Sequence, residues 1–305
     1  MLACSGYDTP LTELPRSLTR INASAMVVGT IVGASIFVQP SEIARHLDTT
    51  GHIMLVWLAS GVLTLFGAMV CAELASAFPR TGGLYVFLRD TFSPLIGFLW
   101  GWAMFWTMHS GIVAAIATVF ARYATRFVDA GAAGTRLIAV GLIIALSALN
   151  YVGVRAGSRV QTVLTGVKLA AIAGLVVGGL AWGGSVQTTT TPEATAADFS
   201  DFLLAMVAGL FAYGGWHMVT YTAGETVMPA RTIPSALIVG VTIVTACYVA
   251  LNVVYLRVLP IETVRTSTRV AADAADALIG HGGSALLAVL VMISSLGALT
   301  GIVLT

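Results

Sequence analysis

Apolar residues dominate this chain in eight long stretches, and shorter polar segments separate them. A helix needs about 20 residues to cross the roughly 30 Å hydrocarbon core of a bilayer, and each stretch approaches or exceeds that length. The pattern therefore predicts eight transmembrane helices, at residues 21–38, 54–78, 95–120, 137–154, 160–182, 202–221, 236–259 and 285–305.

Two of these predicted helices are interrupted at their centres by glycine and other small residues. Residues 28–38 of the first read VGTIVGASIFV, and residues 210–221 of the sixth read LFAYGGWHMVTY. Such residues weaken a helix at the centre of the bilayer, where lipid cannot hydrogen-bond to free backbone groups. Breaks of this kind therefore usually line a cavity within the protein. A break in each half of the chain is typical of a transporter.

Composition agrees with a membrane setting. With 57% apolar and only 10% charged residues, the chain lacks the polar groups needed to cover its apolar area in water. The loops on the two sides of the predicted membrane carry seven arginines each, so charge alone leaves the orientation open. Cys71 and Cys247 lie inside predicted helices, and a disulfide framework is not expected.

Other classes of function find little support. The HExxH motif of zinc hydrolases does not occur, and Ser110 and His109 are sequence neighbours whose side chains diverge on a helix. No basic stripe is present. We therefore expect no enzyme, no metal or other cofactor, and no nucleic-acid partner.

Two of the connecting segments are expected to contain short helices. Residues 84–90 look like an interfacial helix after a turn at Gly82 and Gly83, and residues 260–284 are expected to contain a surface helix that Gly282 and Gly283 end. The alternative for both segments is an irregular solvated connection.

Several motifs together resemble a known family. Residues 29–37 (GTIVGASIF) are similar to the helix 1 signature of the amino acid, polyamine and organocation (APC) transporter superfamily, which usually ends in GSGIF. Residues 211–216 (FAYGGW), with the later Gly224, Glu225, Pro229 and Pro234, look like the helix 6 pattern of its L-type amino acid transporter branch. The resemblance covers the chain after residue 20.

The resemblance implies an all-α polytopic membrane protein with a LeuT-type inverted-repeat fold, apparently truncated after helix 8. Residues 1–20 would form a cytoplasmic N-terminal tail, residues 21–182 the first five-helix repeat, residues 183–200 an external loop, and residues 201–305 an incomplete second repeat. We expect an integral protein of a bacterial inner (plasma) membrane, with the lipid bilayer as a partner and an unknown oligomeric state.

The breaks suggest a seat for an amino acid. The half-helix after the first break presents backbone N–H groups that suit a carboxylate, and carbonyl groups left free at the two breaks suit an ammonium group. We also expect a bulky residue at Gly33 to fill space that the carboxylate needs. The predicted substrate-binding residues are Ile31, Gly33, Ala34, Ser35, Ile36, Phe211, Ala212, Gly214 and His217. The alternative for Gly29 and Gly33 is a GxxxG helix contact.

The resemblance also implies roles for individual side chains. Phe211 stands where a relative's aromatic ring covers the substrate, Gly214 where space is left for its side chain, and His217 where an asparagine is common. His217 could instead satisfy a neighbouring carbonyl group, and His109 poses the same two alternatives. The tryptophans at 100, 102 and 106 are expected to pack or face lipid.

Lys168 is the only lysine, and it falls deep within the fifth predicted helix, about 13 Å above Arg159. An ionised side chain at that depth needs a partner, unless it snorkels to the interface. In the sodium-independent branch of the family a helix 5 lysine occupies the cation region of sodium-coupled relatives. Lys168 is therefore expected to substitute for the cation by reaching carbonyls near Gly33 and the hydroxyls of Ser294 or Ser295.

Two carboxylates are candidates for a gate. Glu73 and Glu225 lie at the ends of spans, where they are expected either to pair with Arg80 and Arg231 or simply to face water.

The sequence thus predicts a secondary active transporter, a permease or exchanger, that moves neutral L-amino acids by alternating access without sodium. Protons are left open as a further partner. The alternative is a transporter-like amino acid sensor without net transport.

Overall fold

The computed structural model describes residues 16–125, 127–128, 130–152, 154–183, 198–267, 269–280 and 282–304. Most of the expected N-terminal tail and external loop lies outside these ranges. The helices are α1 (Arg20–Ile31), α2 (Gln39–His46), α3 (Thr50–Ala77), α4 (Leu84–Thr91), α5 (Pro94–Ala103), α6 (Ser110–Ala124), α7 (Gly131–Val152), α8 (Val154–Ala181), α9 (Phe199–Ala212), α10 (Pro229–Val258), α11 (Ile261–Thr266), α12 (Val270–Ile279) and α13 (Gly283–Leu304).

Three further segments are helical but not α-helical. Ser35–Phe37 and Trp216–Glu225 are 3₁₀ segments that follow the two breaks. Met104–His109 is a π-helical turn that joins α5 to α6 into one span. Within the described ranges, extended backbone pairs at one bridge, between Leu18 and Thr226.

Seven of the eight predicted membrane helices are confirmed, with changed ends. These stretches of the described chain are long and apolar enough to cross a membrane: Thr50–Ala77, Pro94–Ala124, Gly131–Tyr151, Gly157–Ala181, Phe199–Glu225, Pro229–Val258 and Gly283–Val303. The first predicted helix, at residues 21–38, is instead broken into α1 and the 3₁₀ turn Ser35–Phe37, and α2 follows it. Most stretches begin several residues earlier than predicted, because hydropathy detects the apolar centre of a helix and misses its polar ends.

The two broken spans lie at the centre of the bundle. α1 packs against α8, α10 and the 3₁₀ segment of the sixth span, while α2 packs against α9. A buried aromatic cluster of Trp57, Tyr213 and Tyr248 lies beside the breaks, with ring centroids 5.0 to 6.3 Å apart. The break regions are thereby held by packed side chains rather than by lipid.

Both predicted short helices are present. α4 lies where the interfacial helix was predicted, and α12 where the surface helix was predicted, although half of the residues of α12 are buried. The latter ends at Gly280 and not at Gly282, because Gly280 adopts φ 77°, a conformation that side chains rarely allow.

Hydrogen bonds fasten the broken spans at each side of the membrane. On the side where α1 begins, called here the N-terminal side, the N–H groups of Ser17 and Leu18 donate to the Glu225 carbonyl at 2.8 and 2.9 Å. On the other side, Arg265 of α11 donates to the Ala44 carbonyl at 3.0 Å and to the Asp48 carboxylate at 2.6 Å. α2 is therefore tied to the loop that follows α10.

Candidate functional site at the two helix breaks

The first break leaves carbonyl groups at the end of α1 without their usual helical partners. The Gly33 N–H, which would reach Gly29 in an intact helix, donates instead to the Ile31 carbonyl at 2.8 Å. The carbonyls of Gly29, Ile31 and Val32 are thus available to side chains of other helices.

Lys168 of α8 takes up two of these groups. Its side chain is fully buried, and its Nζ atom donates to the carbonyls of Gly29 at 3.1 Å, Val32 at 2.7 Å and Ser294 at 3.1 Å. An ammonium group has three donors, and three carbonyls surround this one. Lys168 therefore links α1, α8 and α13 as a cation would.

Ser294 completes the arrangement, although not as predicted. Lys168 binds its carbonyl oxygen, while the Ser294 hydroxyl lies 3.0 Å from the Val32 carbonyl and 3.2 Å from that of Gly33. The hydroxyl of Ser295 is buried and has no hydrogen-bond partner in the part of the chain that the structure describes. Its expected contact with Lys168 is not formed.

Tyr248 of α10 joins the two breaks. Its buried hydroxyl lies 3.0 Å from the Ile31 carbonyl and 3.2 Å from that of Ala212, the last residue of α9. The Ser35 hydroxyl also approaches the Ala212 carbonyl, at 3.4 Å. The carbonyls of Ile31 and Ala212 were predicted to be free, but each lies near two donors: the Gly33 N–H and Tyr248 for Ile31, and Tyr248 and Ser35 for Ala212. The Tyr248 hydroxyl has a single hydrogen, so it can serve one of these carbonyls at a time.

Phe211 differs more from its prediction. Its carbonyl accepts from the Gly214 N–H at 3.1 Å. Its ring is 69% exposed and continues an exposed stripe of α9 that includes Leu204 and Val207. The part that Phe211 plays in covering a substrate therefore stays a prediction, and Tyr213, two residues later, is the buried ring at the break.

The backbone at Gly215 requires glycine, whereas the backbone at Gly33 does not. Gly215 has φ 102°, and a methyl group there would lie 3.1 Å from the Thr30 carbonyl oxygen. A methyl group at Gly33 would make an ordinary contact of 3.5 Å with Ala298. The close approach of the two broken spans therefore depends on Gly215, and alanine fits at Gly33.

The segment after the first break carries the predicted donors. Ala34 precedes the 3₁₀ turn that Ser35 and Ile36 begin, and the first N–H groups of a helix have no partner within it. Ile36 is fully buried in the core, whereas Ala34 and Ser35 are partly exposed. The positive end of this turn thus lies beside the Ala212 carbonyl.

Two histidines meet at Tyr221 on the N-terminal side of the breaks. The rings of His217 and His109 lie 6.1 and 6.3 Å from the Tyr221 ring, whose hydroxyl accepts from Trp100 Nε1 at 3.1 Å. The Nε2 atoms of both histidines are buried without a hydrogen-bond partner in the described chain. The π-helical turn ends at His109, and turns of this kind are frequent at functional sites.

The other two tryptophans of this span lie at the surface. Trp102 is 56% exposed and Trp106 59% exposed, as expected of residues that face lipid. Trp100 instead connects α5 to the sixth span through Tyr221.

The expected pairing of Glu73 with Arg80 is not formed. Arg80 pairs with Asp90, and Arg89 Nε donates to the same carboxylate at 2.8 Å. The hydrogen bond from Arg89 lowers the pKa of the Asp90 carboxyl, and the charge of Arg80 acts in the same direction. Glu73 is exposed at the end of α3.

Glu225 contributes through its backbone. Its carbonyl binds the N-terminal segment, and across the described residues its carboxylate forms no ion pair with Arg231 or another cation. The neighbouring Gly224 N–H donates to the Thr81 hydroxyl at 3.0 Å. A gating role for the two glutamates stays a prediction.

Sequence reasoning missed Tyr248, Gly215 and Thr30. Tyr248 occurs in an uninterrupted apolar helix, where its hydroxyl gives no sign of its partners. Thr30 lies in the first broken motif and Gly215 in the second, and the Thr30 hydroxyl lies 3.1 Å from the Gly215 carbonyl. The sequence does not distinguish these two residues from their neighbours, because their importance depends on how the two motifs pack together.

Comparison with known proteins gives consistent matches. The family model described as amino acid permease matches residues 18–305. The chain is 31% identical over 297 residues to b(0,+)-type amino acid transporter 1 of Homo sapiens, covering 95% of this chain and 61% of that protein. It is 31% identical over 293 residues to the serine/threonine exchanger SteT of Bacillus subtilis (strain 168), covering 96% and 66%.

A third relative is the cystine/glutamate transporter of Homo sapiens, 31% identical over 297 residues, with 95% of this chain and 59% of that protein covered. The chain thus spans between 59% and 66% of the length of these three relatives.

Tyr248→Phe is expected to destabilise the protein by about 1 kcal/mol, because two buried carbonyls lose the hydroxyl that they share while each keeps another donor. Tyr255→Phe is the matched control: Tyr255 is buried on the same helix, and its hydroxyl has no partner among the residues described. Thermal unfolding in detergent should show a lower melting temperature for Tyr248→Phe alone. Equal melting temperatures of the two variants would contradict the role given to Tyr248.

Proposed function

Because this chain belongs to the amino acid permease family, we propose that it carries the substrate site of a secondary transporter that moves amino acids across a membrane by alternating access. The protein acts as a permease or exchanger. The N-terminal side of the bundle faces the cytoplasm, and the membrane is a bacterial inner (plasma) membrane.

The proposal rests on one observation: backbone N–H groups with positive partial charge and carbonyl groups with negative partial charge lie close together at the two breaks. The N–H groups of Ala34, Ser35 and Ile36 offer positive partial charge to a carboxylate. The carbonyls of Ile31 and Ala212 offer negative partial charge to an ammonium group. An α-amino acid carries both groups on one carbon atom, so these two ends are complementary to its backbone.

Neutral amino acids are the proposed substrate class. Lys168 is the charged side chain at the breaks within the described chain, and three carbonyls already surround its ammonium group. No unpaired charge is therefore left there for a charged substrate side chain. Gly214 adds no side chain beside the break, and the buried Nε2 atom of His217, which has no partner in the described chain, could bond to a polar substrate group.

The names of the relatives differ on this point. One is a serine/threonine exchanger, which agrees with neutral substrates, and another is a cystine/glutamate transporter. A panel that includes glutamate therefore belongs in the experiment below.

Sodium independence follows from the position of Lys168. A bound sodium ion needs several oxygen ligands, and the carbonyls of Gly29, Val32 and Ser294 are already occupied by the ammonium group. A second cation at this place would be repelled. Lys168 thus holds the first span to α13 without an external ion.

Counterflow into proteoliposomes tests the function directly. Vesicles loaded with unlabelled serine should accumulate labelled serine at the same rate in sodium and in choline buffer, while glutamate on the inside should give little exchange. A requirement for sodium, or faster exchange with glutamate than with serine, would contradict the proposal. Binding without counterflow would instead favour the amino acid sensor.

Lys168→Ala is expected to lower the rate of counterflow at least about tenfold, since three buried carbonyls lose their charged donor and each unsatisfied group costs about 1–3 kcal/mol. Val167→Ala, at a neighbouring position that is 44% exposed, is the control. The amount of inserted protein is measured for each variant. A Lys168→Ala protein that is inserted and exchanges at the wild-type rate would show that the lysine is dispensable.

A further inference from the structure

A groove of about 530 Å³ runs along the outside of the bundle between α1, α8 and α10. Its lining includes Ile21 and Val28 of α1, Leu169 of α8, and Val239 and Ile243 of α10. The volume is within the range of small-molecule sites, roughly 300–1,000 Å³, and the walls are almost entirely apolar.

The groove runs along the helices, from one side of the membrane toward its centre. The three helices run the same way through the membrane, so the lining residues with low numbers on each helix lie nearest the N-terminal side. Arg20 and Val28 mark its length along α1, about 12 Å at 1.5 Å per residue. The groove therefore extends from the interface toward the depth of the breaks.

One end of the groove is charged. Arg20, the first residue of α1, is its single charged lining residue, and it is exposed. Within the described chain Arg20 forms no ion pair. A cation at the interface end of an apolar groove is complementary to a molecule with one anionic head and a hydrocarbon tail.

The groove also has four lining hydroxyls, those of Ser24, Thr162, Thr165 and Ser235, and two of them bond to the protein backbone. The Thr165 hydroxyl donates to the Ala25 carbonyl at 3.0 Å, and the Thr162 hydroxyl donates to the Ser158 carbonyl at 2.8 Å. The hydroxyls of Thr162 and Thr165 are therefore already used by the protein backbone.

From this arrangement we propose that the groove is a binding site for an anionic phospholipid, with the phosphate at Arg20 and one acyl chain between α1, α8 and α10. The bound lipid packs against the half-span whose carbonyls Lys168 holds. It thereby stabilises the contact of α1 with α8.

Native mass spectrometry tests the proposal with purified protein and equal amounts of phosphatidylglycerol and phosphatidylcholine that have identical acyl chains. The wild-type protein should retain phosphatidylglycerol about tenfold more than phosphatidylcholine. Arg20→Gln should make retention of the two lipids equal, because the groove stays apolar while its charge is removed.

A second variant blocks the groove. Gly166 lines it and has open space beyond its Cα atom, so the side chain of Gly166→Leu enters the groove without striking the protein. This change should lower the retention of phosphatidylglycerol about tenfold. Gly141→Leu, at a glycine of α7 that also faces open space, is the control and should retain the lipid as the wild-type protein does.

Equal retention of both lipids by the wild-type protein would overturn the proposal, as would unchanged lipid retention in Gly166→Leu. Retention of neither lipid by the wild-type protein would also overturn it. That last result is expected if another segment of polypeptide fills the groove.

Discussion

A helix that ends inside a membrane must find hydrogen-bond donors for its last carbonyl groups, because lipid supplies none and each unsatisfied group costs several kcal/mol. The end of α1 meets this constraint with side chains from three other helices. Lys168, Ser294 and Tyr248 bind the carbonyls of Gly29, Ile31 and Val32. The break is thereby stable, and it is also a point where α8, α10 and α13 are joined.

The same donors bring the two broken spans together. Tyr248 lies between the carbonyls of Ile31 and Ala212, and Gly215 allows the sixth span to approach Thr30 closely. The ends of the broken spans are tied separately, at Ser17 and Leu18 on the N-terminal side and at Arg265 on the other side. Such an arrangement suits alternating access, since either end can be released while the centre is kept.

Much of this could be predicted from the sequence, because the strongest signals are local. Long apolar runs predicted the spans, small residues predicted both breaks, and the single buried Lys168 indicated its own carbonyl partners. What could not be predicted depends on the rotation of a helix or on long-range pairing. Phe211 belongs to the motif, yet it is exposed where a buried ring, Tyr213, packs beside the break, and Arg80 is held by Asp90 rather than Glu73. Tyr248 carries no local signal, since its partners are distant in sequence.

The most direct test of the central claim is a structure of the protein with an amino acid bound in the presence of sodium. The arrangement of the breaks predicts the substrate carboxylate at the N–H groups of Ala34 to Ile36, its ammonium group at the carbonyls of Ile31 and Ala212, and the Lys168 ammonium still on Gly29 and Val32. An amino acid bound away from both breaks, or a sodium ion between Gly29, Val32 and Ser294 with Lys168 displaced, would contradict it.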